Sequence, residues 1–394
     1  MVACSVAALA SACGADGPTA PGPAATASPA AQLNMVLLAQ VDLATLATVV
    51  HAHHDEVVEV EGAVSGAGNW GYTTPDGRRF ALTGTSAGLS IVEVTDPRRP
   101  LNVGLVPGAA SQWREVKTYG SYAYVTTEAR TGMDIVDLRV PEHPHRVHTW
   151  NETFSSAHTL WIDADRGLLF ANGTAPPASP EAGGAGQNGM RVLRLEPDPA
   201  SPREVGAFQG FYVHDSYSRG DLLFASAIYE GFLSVLDVGD PGRIREVTRF
   251  STGGRFTHNS WLTSDGRYLF STDERPGRPL EGWDLLDVRS PRKVAEYIAR
   301  PGTIPHNVMV DGDRLLVAHY TEGVHLLDVS DPERPRLMGY FDTYTGPSTG
   351  FNGTWGAYIF PASDLIVASD INGGLFVLQY VGPPAGAAGA RAHR

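Results

Sequence analysis

The chain has 394 residues, of which 42% are hydrophobic, and a formal net charge of −13. The acidic balance argues against nucleic acid as a partner. No run of 18 apolar residues occurs, so the sequence contains no ordinary membrane span. The 44 glycines and 28 prolines are typical of a fold with many hairpins.

The first thirteen residues, MVACSVAALASAC, are small and apolar. They resemble the end of a bacterial lipoprotein signal with Cys13 as the lipidated residue, although Leu9 lies four positions before this cysteine rather than three. No basic stretch precedes them. We expect export, with the membrane reached only through this lipid anchor; the alternative is a disordered N-terminus. Cys4 and Cys13 are the only cysteines, which excludes a disulfide framework further along the chain.

A low-complexity linker is expected over residues 14–54. The apolar spacing of Met35–Val50 allows a short helix within it. His51, His53 and His54 follow, and we interpret them as a solvated patch rather than as metal ligands, because the repeat described next fixes no partner beside them.

Residues 55–380 are built from a repeated unit. Thr303–Tyr340 shows it most clearly, with four short apolar runs separated by turns that contain Gly, Asp and Pro, the pattern of four antiparallel strands. The third run begins at a glycine that recurs every 41 to 57 residues, a spacing typical of propeller blades. Seven such runs predict an all-β fold, a seven-bladed β-propeller of four-stranded antiparallel blades. The glycines are Gly88, Gly132, Gly189, Gly231, Gly282, Gly323 and Gly374.

The last blade has only three strands of its own. Asp55–Ser65 resembles the fourth strands of other blades, and an open ring would leave two unpaired sheet edges, which proteins avoid. We therefore predict that Val57–Val64 completes the last blade and closes the ring. Residues 381–394, rich in Ala and Gly, are expected to form a flexible tail.

Aligning the blades on their first turn places four histidines, His158, His214, His258 and His306, at the start of the first strand in blades three to six. First strands line the central channel of a propeller, so these imidazoles should meet at one mouth, where second strands also end and bring carboxylates. Such ligands suit one divalent transition metal: zinc, manganese or iron. Alternatively, each histidine donates a ring N–H to the next blade's backbone and the ring is structural.

The motifs along the blades carry a family resemblance. The third strand with its following Asp-Pro resembles the LVIVD repeat, and an ordered series of motifs over residues 65–380 resembles the choice-of-anchor B proteins, a family of bacterial surface propellers. The resemblance implies an exported propeller and supplies no activity. This sequence has Glu115 where the family has Asp, and Thr159 where it has Asn. The series includes Trp70-Gly71, Trp113-Arg114-Glu115, Ala157-His158, His214-Asp215, His258-Asn259, Asp273-Glu274, His306-Asn307, Trp355 and Gly374.

Two functions remain open. The first is a monomeric binding module on the cell surface, and the second is a metal-dependent hydrolase, lyase or oxygenase acting at the channel mouth. In the second, Glu115 or Glu274 would be the general base and Arg114 an anion partner. Alternation along the strand places Asp215 on the side opposite His214, where it would support the site from behind. The side chains expected to bind a ligand are Trp70, Trp113, Asp215, Asn259, Asp273, Asn307, Trp355 and Asp370.

Overall fold

The computed structural model describes residues 31–51, 56–59, 64–176 and 189–387. It confirms the all-β prediction: seven four-stranded antiparallel blades follow one another in chain order. The first strands of neighbouring blades contact each other, and the first strand of the last blade contacts that of the first, so the blades close into a ring.

The N-terminal segment contributes short elements before the first blade. The one α-helix within the described residues, α1, has four residues, and its N-cap Asp42 accepts a hydrogen bond from the Thr45 N–H at 2.7 Å. None of the helices described is long and apolar enough to cross a membrane. These elements are β1 (Gln32–Leu33), β2 (Met35–Val41), α1 (Leu43–Leu46), β3 (Thr48–His51) and β4 (Glu56–Glu59).

Blades one to four follow the order predicted from the repeat, each strand pairing with the next along the chain. Their strands are β5 (Gly66–Thr73), β6 (Arg79–Thr85), β7 (Gly88–Glu93) and β8 (Leu101–Pro107); β9 (Val116–Tyr119), β10 (Tyr122–Val125), β11 (Met133–Asp137) and β12 (His145–Trp150); β13 (Thr159–Asp163), β14 (Leu168–Asn172), β15 (Met190–Arg194) and β16 (Arg203–Phe208); and β17 (Asp215–Arg219), β18 (Leu222–Ala227), β19 (Phe232–Asp237) and β20 (Arg245–Ser251), the last preceded by a 3₁₀ turn at Pro241–Arg243.

Blades five to seven complete the ring, and the last has three strands from the C-terminal part of the chain, as the sequence predicted. Their strands are β21 (Thr257–Leu262), β22 (Tyr268–Asp273), β23 (Leu280–Asp284) and β24 (Arg292–Tyr297); β25 (Val308–Asp311), β26 (Arg314–Ala318), β27 (Val324–Asp328) and β28 (Arg336–Phe341); and β29 (Thr354–Ile359), β30 (Leu365–Asp370) and β31 (Gly374–Tyr380).

An N-terminal strand closes the ring, but it is not the predicted one. β2 pairs antiparallel with β31, from Met35 opposite Tyr380 to Val41 opposite Leu375. The prediction of Val57–Val64 is wrong, since β4 pairs with β3 in a separate hairpin that lies beside the outer strand of blade one. The physical reason is burial: β2 carries apolar Met35 and Val41, which are 1% and 5% exposed, whereas β4 has glutamates at both ends.

The same pairing corrects two predictions, the linker over residues 14–54 and the short helix within Met35–Val50. Residues 32–41, assigned to the linker over 14–54, form strands of blades six and seven, because β1 adds a fifth strand to blade six beside β28. Met35–Val50 is therefore a strand, a four-residue helix and part of a hairpin rather than one short helix. At the other end, the start of the predicted tail contacts blade six, where the Gly386 N–H donates to Asp328 at 2.8 Å.

Four of the seven repeated glycines have positive φ, and Gly323 and Gly374 illustrate its cause. Both have positive φ, +76° and +91°, at the turn that leads into the third strand. A Cβ on Gly323 would lie 2.0 Å from the Phe341 carbonyl oxygen, and one on Gly374 would lie 2.3 Å from the Val41 carbonyl oxygen. Only glycine combines this conformation with so close an approach of the fourth strand.

Apolar side chains fill the spaces between adjacent blades. Leu82 and Ile91 of blade one, for example, pack in one cluster with Val125 and Val136 of blade two, all of them at most 3% exposed. Comparable clusters lie between the other neighbouring blades. Because blade-to-blade packing rests on these residues, polar side chains along the axis are available for other roles.

Candidate functional site

The four predicted histidines meet at one place. Each lies at or just before the first strand of its blade, and all are buried, with exposures between 2% and 9%. Neighbouring rings are in contact: the ring centroids are 4.3 Å apart for His158 and His214, 4.3 Å for His214 and His258, and 4.2 Å for His258 and His306. The imidazoles therefore form a row that follows the ring of blades three to six.

Two of these rings, those of His214 and His306, each contact the backbone of the next blade through one nitrogen. His214 Nδ1 lies 3.3 Å from the carbonyl oxygen of His258, and His306 Nδ1 lies 2.5 Å from that of Trp355. Only a protonated Nδ1 can donate to a carbonyl, so both neutral rings carry their lone pair on Nε2. The structural role considered for the histidines thus uses one nitrogen and leaves the other available.

Two glutamates, each following the second strand of its blade, join the row at different points. Glu128 lies at the blade-three end, with Oε1 2.5 Å from His158 Nδ1. Glu274 lies beside the other three rings, and its carboxylate oxygens are 3.9 Å from His258 Nε2 and 3.7 Å from His306 Nε2. The ligand atoms of His214, His258 and Glu274 all lie within 4.8 Å of one another.

Tyr320 fixes the orientation of Glu274. Its hydroxyl donates to Glu274 Oε1 at 2.5 Å, and its ring centroid lies 4.5 Å from that of His306. The Tyr320 backbone has φ +32°, an uncommon conformation for a bulky residue. An apolar cluster of Ile304, Tyr320 and Trp355, with Trp113 beside it, adjoins this part of the row.

Burial decides the ionisation of the cluster. It lowers the pKa of His306 to about 3, and together with the neighbouring imidazoles it holds the pKa of His214 and His258 well below 6.5. Burial raises the pKa of Glu274 to about 7, against the hydrogen bond from Tyr320. For His158, burial lowers the pKa, but the hydrogen bond and charge of Glu128 outweigh it and the net pKa is raised. At neutral pH, the imidazoles of His214, His258 and His306 are therefore neutral.

A second polar layer lies next to the histidines along the channel. Asp215, Asn259 and Asn307, each directly following a histidine, line a cavity with an empty volume of about 540 Å³, which includes space open to solvent. Asn259 Nδ2 donates to Asp215 at 2.7 Å, and Asn307 Nδ2 donates to the Trp355 carbonyl at 3.2 Å. Burial raises the pKa of Asp215 to about 6, against the Asn259 hydrogen bond.

The sequence pattern of the LVIVD repeat matches residues 110–149 and 305–343, the spans of blades two and six. The chain is an LVIVD-repeat β-propeller. No curated protein matches it significantly. In both matched blades the apolar residues of the repeat lie in the third strand, β11 or β27. In the LVIVD-repeat propeller, most residues of these two strands are buried.

In the LVIVD-repeat propeller, Asp215 does not lie behind the site, on the face of the strand that alternation predicted. Strict alternation places Asp215 opposite His214, yet Asp215 lines the channel cavity while the His214 ring packs against the His258 ring. The reason is that β17 begins at Asp215, so His214 precedes the strand and does not follow its alternation. In blade five, a register shift between Thr257 and Asn259 has the same effect, because it brings both His258 and Asn259 to the axis.

Of the proposed catalytic residues, the structure brings Glu274 beside the histidine row and Glu115 into the channel, but Arg114 lies away from both. Glu115 lines the channel cavity and accepts a hydrogen bond from Trp355 Nε1 at 2.7 Å. Arg114 is 1% exposed, and its guanidinium donates to the carbonyls of Thr85 and Ala109 at 2.8 and 2.5 Å. Arg114 therefore holds the junction of blades one and two rather than an anion, and burial lowers its pKa to about 10.

Asp273 and Asp370, predicted as ligand-binding residues, accept hydrogen bonds from neighbouring turns. Asp273 accepts hydrogen bonds from Thr252 and from the N–H groups of Gly254 and Phe256 at 2.6 to 2.8 Å. Asp370 occupies the equivalent place in blade seven and accepts from Thr343 and from the N–H groups of residues 372 and 373. Each carboxylate accepts from backbone N–H groups and from one threonine hydroxyl, and so shapes the loops next to it.

Two features of the structure were not predicted from the sequence. Lys117 lies in the channel, with its ammonium 4.3 Å from the centroid of the Trp70 ring, and its position two residues after Glu115 would have placed it on the same face. A second buried histidine pair lies within blade six, where the rings of His319 and His325 are 5.7 Å apart. His325 Nδ1 is bound by the Tyr297 hydroxyl at 2.7 Å. No motif marked this pair, because His319 follows β26 whereas His325 lies in β27.

Proposed function

We propose that this LVIVD-repeat propeller is an exported, lipid-anchored binding module of the choice-of-anchor B kind. The ordered motifs that resemble that family support this, and so does the lipoprotein-like sequence ending at Cys13. Cys13 itself lies outside the described residues. The proposal includes a monomer that contacts the membrane only through its anchor and binds no nucleic acid, in keeping with the net charge of −13.

The observation that carries the proposal is the place where the chain enters the fold. β1 and β2 are the outermost strands of blades six and seven. An anchor upstream of Gln32 would hold the propeller by its rim, so both faces and the channel would remain free for a partner. Trp70, Asp215, Asn259 and Asn307 line that channel and are the contacts we assign to a ligand.

The geometry supports binding over catalysis. A catalytic metal centre keeps an open coordination position and a path for substrate. His214, His258, His306 and Glu274 are instead 2% to 6% exposed, and the apolar side chains of Ile304 and Trp355 lie beside them. This burial suits a site that holds a small ligand or stabilises the fold.

Fractionation of the native host tests the proposal. Wild-type protein should sediment with the membranes and be digested by protease added to intact cells. Cys13→Ala should lose the membrane association, whereas the matched control Cys4→Ala should keep it. Recovery of the wild type in the cytoplasm, or equal release by both variants, would contradict the proposal.

A further inference from the structure

The carboxylate of Glu274 is a buried acid without adequate partners. It is 6% exposed and accepts one short hydrogen bond, from Tyr320. Its ion-pair partners are the imidazoles of His258 and His306, at 3.9 and 3.7 Å, which is too long for a hydrogen bond. An ionised carboxylate in such surroundings is costly unless a positive charge compensates it.

The imidazoles of His214 and His306 present lone pairs rather than protons to the interior of the cluster. His214 and His306 each have Nδ1 directed at the carbonyl of the next blade, so Nε2 is the free acceptor. His306 Nε2 faces Glu274, and so does His258 Nε2. Metal-binding histidines in proteins are held in this way, with the second ring nitrogen donating to a backbone carbonyl or carboxylate.

We propose that His214, His258 and Glu274, with His306 beside them, form a buried binding site for one divalent transition-metal ion. The ligand atoms of the first three already lie within 4.8 Å of one another. Around a metal with bonds of about 2.0–2.2 Å, tetrahedral ligands lie roughly 3.3–3.6 Å apart. Side-chain movements on the order of 1 Å would bring these atoms to that spacing.

The ligand set favours zinc-like ions. Two or three imidazoles with one carboxylate suit Zn²⁺ and related first-row ions, whereas Mg²⁺ and Ca²⁺ prefer oxygen ligands alone. A dication supplies the positive charge that Glu274 lacks while leaving the histidines neutral. Tyr320 acts as a positioning residue, since its hydroxyl orients the carboxylate.

The ion would connect three blades. His214 belongs to blade four, His258 and Glu274 to blade five, and His306 to blade six. A metal held between them would bind the native state and not the unfolded chain, so it would stabilise the closed ring. This role is independent of export and of the lipid anchor, because it requires the propeller alone.

Metal binding to untagged protein tests the inference. The full chain is stripped with a chelator and dialysed, and zinc chloride is titrated into it by calorimetry, with cobalt(II) as a visible-absorbance probe. We expect one equivalent to bind and the Tm to rise with added zinc. Tyr320→Phe should weaken zinc binding about 10- to 100-fold, the range for residues that orient a ligand.

Glu274→Gln is the nearly isosteric ligand variant and should weaken zinc binding more than Tyr320→Phe does, as should His258→Gln. His319→Gln is the matched control, because His319 is an equally buried histidine, 4% exposed, outside the cluster. It should bind zinc as the wild type does.

Three outcomes would overturn the inference. One is wild-type protein that binds neither zinc nor cobalt at micromolar concentration. Another is undiminished zinc binding by folded Glu274→Gln. The third is a Tm that is unchanged by zinc in the wild type while both ligand variants lower it, which would leave the histidines with their structural role only.

Discussion

The Nδ1–H of His306 donates to the backbone carbonyl of Trp355, 2.5 Å away and one blade further around the ring. Asn307 donates to the same oxygen at 3.2 Å. The junction of blades six and seven thus has a polar contact at the axis in addition to the apolar packing behind it. The same relationship recurs between His214 and the His258 carbonyl, so the histidine row connects neighbouring blades.

His306→Phe should destabilise the metal-free propeller. The ring volume is kept, but the donor to the Trp355 carbonyl is lost and the longer Asn307 bond remains. We expect a loss of about 1–3 kcal/mol in the free energy of unfolding, measured by urea denaturation in chelator. His145→Phe, at an exposed position of blade two, is the control and should change stability by less than about 0.5 kcal/mol. Equal effects would show that the interblade bond contributes nothing.

Removal of residues 1–42 should open the ring, whereas removal of residues 1–30 should be tolerated. The longer deletion removes β1 and β2, which exposes the backbone edge of β31 and the apolar residues that Met35 and Val41 cover. We expect aggregation on size-exclusion chromatography and a lower Tm for the longer deletion alone. A monomeric 43–394 fragment with the wild-type Tm would contradict closure by β2.

Gly374→Ala should cost more stability than Gly302→Ala. Both glycines have nearly the same φ, +91° and +87°, so both substitutions introduce backbone strain of about 1–3 kcal/mol. Only at Gly374 would the new Cβ meet a neighbour, the Val41 carbonyl oxygen at 2.3 Å, while Gly302 has nothing within 4 Å. The difference between the two Tm values measures the steric contact between β31 and the closing strand. Identical Tm shifts would show that the strand can move away at no cost.

The buried pair in blade six should make the protein sensitive to acid. Burial lowers the pKa of His319 to about 3, with a further decrease from the neighbouring His325, and lowers the pKa of His325 to about 4, each from 6.5. The unfolded chain takes up these protons below pH 6.5 and the folded chain does not. Stability is therefore full above pH 6.5 and declines as the pH falls toward 4 and 3, by about 1.4 kcal/mol per pH unit for each histidine.

His319→Gln should remove the contribution of one buried histidine to the pH dependence of stability. We expect the slope of unfolding free energy against pH, measured by urea denaturation between pH 6 and 4, to fall by about 1.3 kcal/mol per unit. Glu322, whose pKa burial raises, lies in the turn between the two histidines and opposes the trend in wild type and variant alike. His145→Gln, an exposed histidine, should leave the slope unchanged. A wild-type slope in His319→Gln would mean that this ring is protonated in the folded protein.

Much of the histidine site could be predicted from the sequence because the information is local and repeated. Gly323 and Gly374 mark third strands through a backbone conformation that few other residues adopt. Once seven such strands are recognised, the shared position of His214, His258 and His306 follows from counting along each blade. Their meeting near the axis is then a consequence of the ring, and the centroid distances of 4.2 to 4.3 Å confirm it.

Only the tertiary structure decided which segments and atoms pair across the ring. Met35–Val41 and Val57–Val64 are both short apolar stretches, and the choice between them was made by contacts with β31, more than 330 residues away. Asp215 faces the axis because its strand begins one residue later than alternation assumes. Arg114 belongs to the motif Trp113-Arg114-Glu115, but its guanidinium donates to the carbonyls of Thr85 and Ala109. Residue type and spacing determine what a strand is, whereas side-chain partners depend on where neighbouring strands start and end, and those boundaries arise from non-local packing.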